Sequence, residues 1–249
     1  MQFVHLRLHC DFSIVDGTLQ VDRAVALAAA DGQGALALTD LNNMFAAVRF
    51  YQAARSRGVK PLLGCDVRVS PVSRAADAPS GRLLLLAMNH TGYLNLCELL
   101  SRAWQSNHRK GQAEIDWAWL EDGLHAGLIV LAGGEQGEIG QALLAGDEAR
   151  ARTLAQRAQA LLGDRFYLEL QRYGSPTEAA HEAQVLRLAA AFDLPVVATH
   201  PVQFAERDDF ETHEARVCIA EGEILANPRR VRRFTPEQYF KTQAEMAAA

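Results

Sequence analysis

Histidine, carboxylate and arginine side chains gather at the ends of short apolar runs in this 249-residue chain. The first run, Phe3 to Leu8, leads into His9, and period-two alternation puts His5, Arg7 and His9 on one face, opposite Val4, Leu6 and Leu8. A face with three such groups is not buried in an apolar core unless each finds a partner. Later runs end in Thr39-Asp40, Asp66, Gly133-Gly134, Glu169 with Gln171, and Thr199-His200. Histidines and aspartates converging from several strands suit a hydrolase in which a metal activates water against a phosphate or an amide. Such a site needs about three protein ligands per ion and an open position. His9, Asp40 and Asp66 qualify, with His200 and Glu169 as additions. So short a set reads more simply as hydrogen-bonded polar groups lining a rim.

The β-rich runs at Phe3 to Leu8, Ala35 to Leu38, Leu62 to Val69, Leu83 to Ala87, Leu128 to Ala132, Phe166 to Leu170 and Val196 to Thr199 predict seven strands. Between them Val21, Ala24, Val25 and Ala28 recur at helical spacing and stop at Gly32, and Ala46, Ala47, Phe50, Tyr51 and Ala54 do so before Gly58. Ser175, Pro176 and Glu178 predict a helix start, as do Thr235-Pro236-Glu237 and the capping-box pair Thr242 and Glu245. Strands alternating with helices imply parallel pairing, and seven units in one domain suit a closed α/β structure: a distorted seven-stranded (β/α) barrel, TIM-like. Chemistry in such barrels sits at the carboxyl ends of the strands. The stretches Ser70 to Gly81 and Ser106 to Glu114 read as surface excursions.

Composition excludes other classes. No run approaches the roughly 18 apolar residues of a membrane helix, and the opening residues lack a signal peptide, so the expected location is cytoplasmic. Cys10, Cys65, Cys97 and Cys218 are far apart and form no metal-binding pair, which suits reduced thiols. A net charge of -5 does not make the whole domain a nucleic-acid binder. The basic run Arg229-Arg230-Val231-Arg232-Arg233 is read as a solvated loop, with phosphates or an acidic partner as the alternative. Trp104, Trp117 and Trp119 read as packing residues. His90, His108, His125 and His181 read as surface residues.

The segment from Phe3 through His9 to the Ser13…Asp16-Gly17 turn resembles the first motif of the PHP (polymerase and histidinol phosphatase) domain at the amino terminus of bacterial DNA polymerase III alpha subunits. Leu36 to Met44 is similar to the second motif, and Lys60 to Asp66 to the strand that follows. Leu85 to Asn89 with Gly92 to Leu96 resembles a segment of the polymerase branch, and Leu194 to Thr199 with Asp209, His213 and Glu214 completes the order. The likeness covers nearly the whole chain. It implies the PHP fold over residues 1–234, with 235–249 beginning the connection to a following polymerase domain.

Departures from that family's pattern are as informative. Arg7 stands where the resemblance implies a histidine, Leu41 where a histidine follows the motif-two aspartate, and Asp66 where a glutamate is implied. Arg82 replaces a further histidine, Gly134 a cysteine, and Pro201-Val202-Gln203 a late Asp-x-His pair. Arginine stays protonated and cannot ligate a divalent ion, and glycine, leucine and proline offer no side-chain donor. The expectation is a degenerate site of Arg7, His9, Asp40, Asp66, Arg82 and His200 with no metal, or at most one on His9, Asp40 and Asp66. Arg7 and Arg82 are expected to tie down Asp40 and Asp66 or to contact a phosphate. By resemblance the parent chain is a DNA-directed DNA polymerase using Mg2+ in its own active site, which also contacts DNA and other replicase subunits. This fragment is expected to be inactive and to dock the proofreading exonuclease (epsilon-type) subunit. The alternative is a residual metal-dependent phosphoesterase or 3'-5' exonuclease, with a stand-alone histidinol-phosphatase-like protein as a third reading.

Overall fold

The computed structural model describes residues 3–71, 79–109 and 111–249. Its strands are β1 (Ala35–Leu38), β2 (Lys60–Val69), β3 (Gly81–Ala87), β4 (His108–Arg109), β5 (Gln112–Ala113), β6 (Leu128–Leu131), β7 (Phe166–Gln171) and β8 (Val196–Thr199). The helices are α1 (Val21–Ala30), α2 (Ala47–Ser56), α3 (His90–Ser106), α4 (Trp117–Trp119), α5 (Glu138–Leu144), α6 (Glu148–Leu162), α7 (Glu178–Phe192), α8 (Phe210–Glu221) and α9 (Gln243–Ala248). Six strands form one sheet in the order β1-β2-β3-β6-β7-β8, and β4 and β5 form a separate small ladder.

The seventh stave is the opening segment, which is not a regular strand. On one side His9 N donates to Val202 O at 3.0 Å and Val202 N to Arg7 O at 3.3 Å; on the other Ala37 N donates to His5 O and Thr39 N to Leu8 O. The opening segment thus advances three residues, from His5 to Leu8, where its neighbour advances two, from Ala37 to Thr39, a one-residue bulge. Closure through this segment gives the distorted (β/α) barrel expected of the sequence.

Period-two alternation sorts the walls. Leu62, Leu84, Leu86, Ile129, Leu131, Tyr167, Val197 and Ala37 pack inside with Leu6. Cys65, Val67, Leu83, Leu85, Leu128, Val130, Phe166 and Leu168 face outward against α3, α5, α6 and α7. A second outer core joins Leu8, Cys10, Leu36 and Leu38 to Val21, Val25, Phe50 and Ala54 of α1 and α2. Buried positions of α1 repeat at helical spacing, as Val21, Ala24, Val25 and Ala28, and the helix stops where Gly32 takes φ +68°. Among the described residues no helix is long and apolar enough to cross a membrane.

Several expectations are corrected. Pairing is parallel for β1 with β2 and for β6, β7 and β8, but β3 runs antiparallel to both neighbours. β2 ends at Val69 and β3 begins at Gly81, a connection shorter than the dozen or so residues that a parallel crossover takes, so the two strands pair as a hairpin does; its residues 72–78 lie outside the described set. Thr235–Glu237 forms a turn instead of a helix; α7 begins at Glu178, after a turn in which Ser175 Oγ accepts from Thr177 N at 3.3 Å and donates to Glu135 Oε2 at 2.8 Å. Residues 106–114 hold the β4–β5 ladder. His181 is buried and Trp104 is half exposed, each opposite to the reading from sequence.

Candidate functional site

The bulge decides which groups reach the barrel interior. Leu6 points inward before it, and Arg7 and His9 point inward after it, with Leu8 and Cys10 outside. His5, on the other side of the shift, is packed against Phe240 with its ring 4.5 Å away, and its Nε2 donates to Lys241 O at 2.7 Å. Three groups expected on one face are therefore divided between two.

Above the apolar inner layer, the next inward residues are charged. Asp66 follows Leu62 on β2 at even spacing, Glu169 follows Tyr167 on β7, and Arg82 precedes Leu84 on β3. Because β3 is reversed, its amino end lies at the same rim as the carboxyl ends of β2 and β6. Arg7 is nearly fully buried between two carboxylates. Its Nη1 donates to Asp66 Oδ2, its Nη2 to Glu169 Oε2 at 3.0 Å, and its Nε to Glu169 Oε1 at 3.2 Å. The guanidinium fork grips Glu169 with two bonds, a geometry lysine cannot copy. Glu169 also accepts from Gly133 N at 2.6 Å and Thr199 Oγ1 at 2.8 Å.

Asp66 Oδ2 further accepts from Arg82 Nη1 at 3.0 Å and His9 Nε2 at 3.2 Å, while His9 Nδ1 donates to Asp16 Oδ1 at 2.9 Å. Burial alone would make His9 less basic, but the flanking charges of Asp16 and Asp66 outweigh it and lift its pKa to about 9. Burial pushes the Asp16 carboxyl up, and the imidazolium beside it brings it down to about 2. Asp66 likewise opposes its burial through Arg7 and Arg82, which hold it well below the usual carboxylate range. The bonded cluster thus contains three cations, Arg7, His9 and Arg82, and three anions, Asp16, Asp66 and Glu169. The cleft over it, lined also by Gln171, Gln203 and Gln238, leaves about 30 Å³, space for a few waters at most.

Two residues expected in the site lie elsewhere. Asp40 turns to Cys10, accepting from its N at 2.6 Å and its Sγ at 3.0 Å, and burial raises its pKa. Neither Arg7 nor Arg82 ties it down. His200 is wholly buried, and its Nε2 donates to Tyr239 O at 3.0 Å. It faces the 239–241 segment because it follows Thr199 by one residue, and Thr199 points inward to Glu169. Arg7, His9, Asp66 and Arg82 come together as a rim. Asp16 was missed as a member, although its turn was visible: Gly17 sits so close to Cys10 O that any Cβ there would be 1.8 Å from it, and that tight turn aims Asp16 at His9. Gly134 takes φ +56°, and a Cβ on it would stand 2.7 Å from Gln171 Oε1. Among the described residues no group of three or more His, Cys, Asp or Glu side chains is placed to hold a metal ion.

A closed barrel with this rim defines the class, and the PHP domain model matches residues 5–173. The chain belongs to the PHP domain family. Its curated relatives are DNA polymerase III alpha subunits: it is 44% identical to that of Pseudomonas aeruginosa over 99% of this chain, 46% identical to that of Neisseria meningitidis over 98%, and 40% identical to that of Escherichia coli over 98%. The chain spans 21% of the length of each. Among solved structures it resembles an amidohydrolase from Chromobacterium violaceum, with TM-score 0.55 and 18% identity, covering 86% of this chain and 96% of that one. It also resembles a metal-dependent phosphoesterase from Bifidobacterium adolescentis, with TM-score 0.51 and 13% identity, covering 80% and 87%. At these identities the likeness concerns the fold.

Proposed function

We propose that this chain is a non-catalytic PHP domain of a replicative polymerase alpha subunit, serving as a structural platform and as docking site for the proofreading exonuclease subunit. The parent chain would extend DNA with Mg2+ in an active site outside these residues, in the cytoplasm, and contact DNA and other replicase subunits there. The observation that carries the first half is Arg7, whose guanidinium lies between Asp66 and Glu169. The PHP family implies a metal centre, and the residues present do not fit one. A cation would have to displace an arginine from two carboxylates, and both nitrogens of His9 are engaged as donors to Asp16 and Asp66. The cluster is already neutral, so it offers no net negative charge to offset the cost of stripping water from a divalent ion. The docking half is supported by the relatives, whose designation as a subunit implies an assembly.

Metal analysis of the purified chain tests the first half, with hydrolysis of p-nitrophenyl phosphate measured in added Zn2+ or Mn2+. Far less than one metal per chain and no turnover are expected. Stoichiometric metal that is lost on His9→Ala would overturn the proposal in favour of a residual metal-dependent phosphoesterase. Titration with the purified proofreading subunit tests the second half, and no association would remove the docking role.

A further inference from the structure

At the amino end of the barrel, opposite the charged rim, the interior is apolar and open. The middle layer of the inner core, Ala37, Leu84, Leu86 and Leu131, is buried. Below it lie Leu6 of the opening segment, Leu62 of β2, Ile129 of β6, Tyr167 of β7 and Val197 of β8, and each of these is only partly buried. They come from the amino-terminal parts of their strands, and the reversed β3 brings its carboxyl end, Leu86 and Ala87, to the same mouth. Together they line a cup of about 500 Å³. The interior of such a barrel is ordinarily filled by layers of side chains, so an unfilled apolar layer calls for an occupant. The volume falls within the roughly 300–1,000 Å³ of small-ligand pockets, whose walls are mostly apolar with a few polar groups that fix orientation. One charged residue borders the cup: Lys60, the first residue of β2, which is exposed and belongs to none of the ion pairs among the described residues.

We propose that this cup binds one linear aliphatic carboxylate, with its chain inside the barrel and its head group on the Lys60 ammonium. Strands surround the cup, so an occupant enters end-on, as a single flexible chain does. Burying that chain removes apolar surface of both ligand and wall from water, and the ammonium at the mouth selects an anionic head that stays at the solvent edge. The cup lies at the far end of the barrel from Arg7, Asp66 and Glu169, so the site stands whether or not the domain docks another subunit.

Isothermal titration of the 249-residue chain with hexanoate, octanoate and decanoate, each below its micelle concentration, tests the site. One ligand per chain is expected, with Kd tightening by about fourfold for each added methylene. Lys60→Gln should weaken octanoate binding by about two- to fivefold and leave octanol binding unchanged. Ile129→Trp, which fills the cup from β6, should abolish binding of every ligand; Lys60→Gln, at an exposed position, decides the matter if that variant does not fold. No binding by the wild-type chain, an affinity that does not rise with chain length, an equal effect of Lys60→Gln on octanoate and octanol, or a folded Ile129→Trp that binds as wild type does would overturn the proposal.

Discussion

Replacing Arg7 with leucine is the sharpest test of the rim. Arg7 has 7% of its side chain exposed, and its partners Asp66 and Glu169 have 2% and 0%, so solvent cannot take over the interaction. Removing one partner of a buried ion pair typically costs about 3–5 kcal/mol, because the other charge stays buried without compensation. For a chain of this length, each kcal/mol lowers Tm by about 2–4 °C, so Arg7→Leu should melt on the order of 10 °C lower. Its cluster changes from three cations against three anions to two against three. Glu169→Gln restores the balance by removing one anion, with its carbonyl oxygen placed to accept from Gly133 N and its amide nitrogen placed to donate to the Thr199 hydroxyl. The double variant should therefore be more stable than the sum of the single losses by about 1–3 kcal/mol. Urea unfolding of the four proteins closes the cycle. A single-variant loss below about 1 kcal/mol, or strict additivity, would refute the claim that charge balance holds the rim together.

Other consequences concern pH and backbone. His9 titrates near 6.5 when unfolded and at about 9 in the fold, so its contribution is full below pH 6.5 and lost as pH rises through about 9. That loss amounts to on the order of 3 kcal/mol, and urea midpoints at pH 7 and 9 should converge in His9→Gln. Burial lowers His5 to about 4 and His200 to about 3; their contribution is present above pH 6.5 and falls away as pH drops below it. His5→Gln/His200→Gln should accordingly lose less stability between pH 7 and 5 than wild type does, as read from the same urea midpoints. Gly134→Ala places a Cβ against Gln171 at a positive φ and should cost about 1–3 kcal/mol, visible in calorimetry; a neutral result would refute the strain, since a Gln171 that swings aside relieves the contact but not the φ.

What could be read from the sequence was whatever a strand or helix encodes in its own period. Leu62, Gly64, Asp66 and Arg68 alternate with Leu63, Cys65, Val67 and Val69, and that pattern alone announces an inward face that turns from apolar to charged. Replacement of expected ligands by Arg7 and Arg82 also foretold ion pairing with Asp66, since an arginine there needs a carboxylate. The bulge between His5 and Leu8 was hidden, because one extra residue reverses every later side chain while leaving the pattern of residue types unchanged. His5, Asp40 and His200 were misplaced for that class of reason: each is a polar residue beside the rim whose neighbour, not itself, points in. The reversal of β3 was hidden because the types of residue in a strand do not record its direction, which is settled by where the chain pairs. Glu169 is 162 residues from the arginine it binds, so nothing local could name it as the partner. The charge count supplies the missing constraint. A barrel interior that admits Arg7 and Arg82 beside an imidazolium must supply three carboxylates, and the inward positions of β2 and β7 and the tight turn ending at Gly17 provide them as Asp66, Glu169 and Asp16.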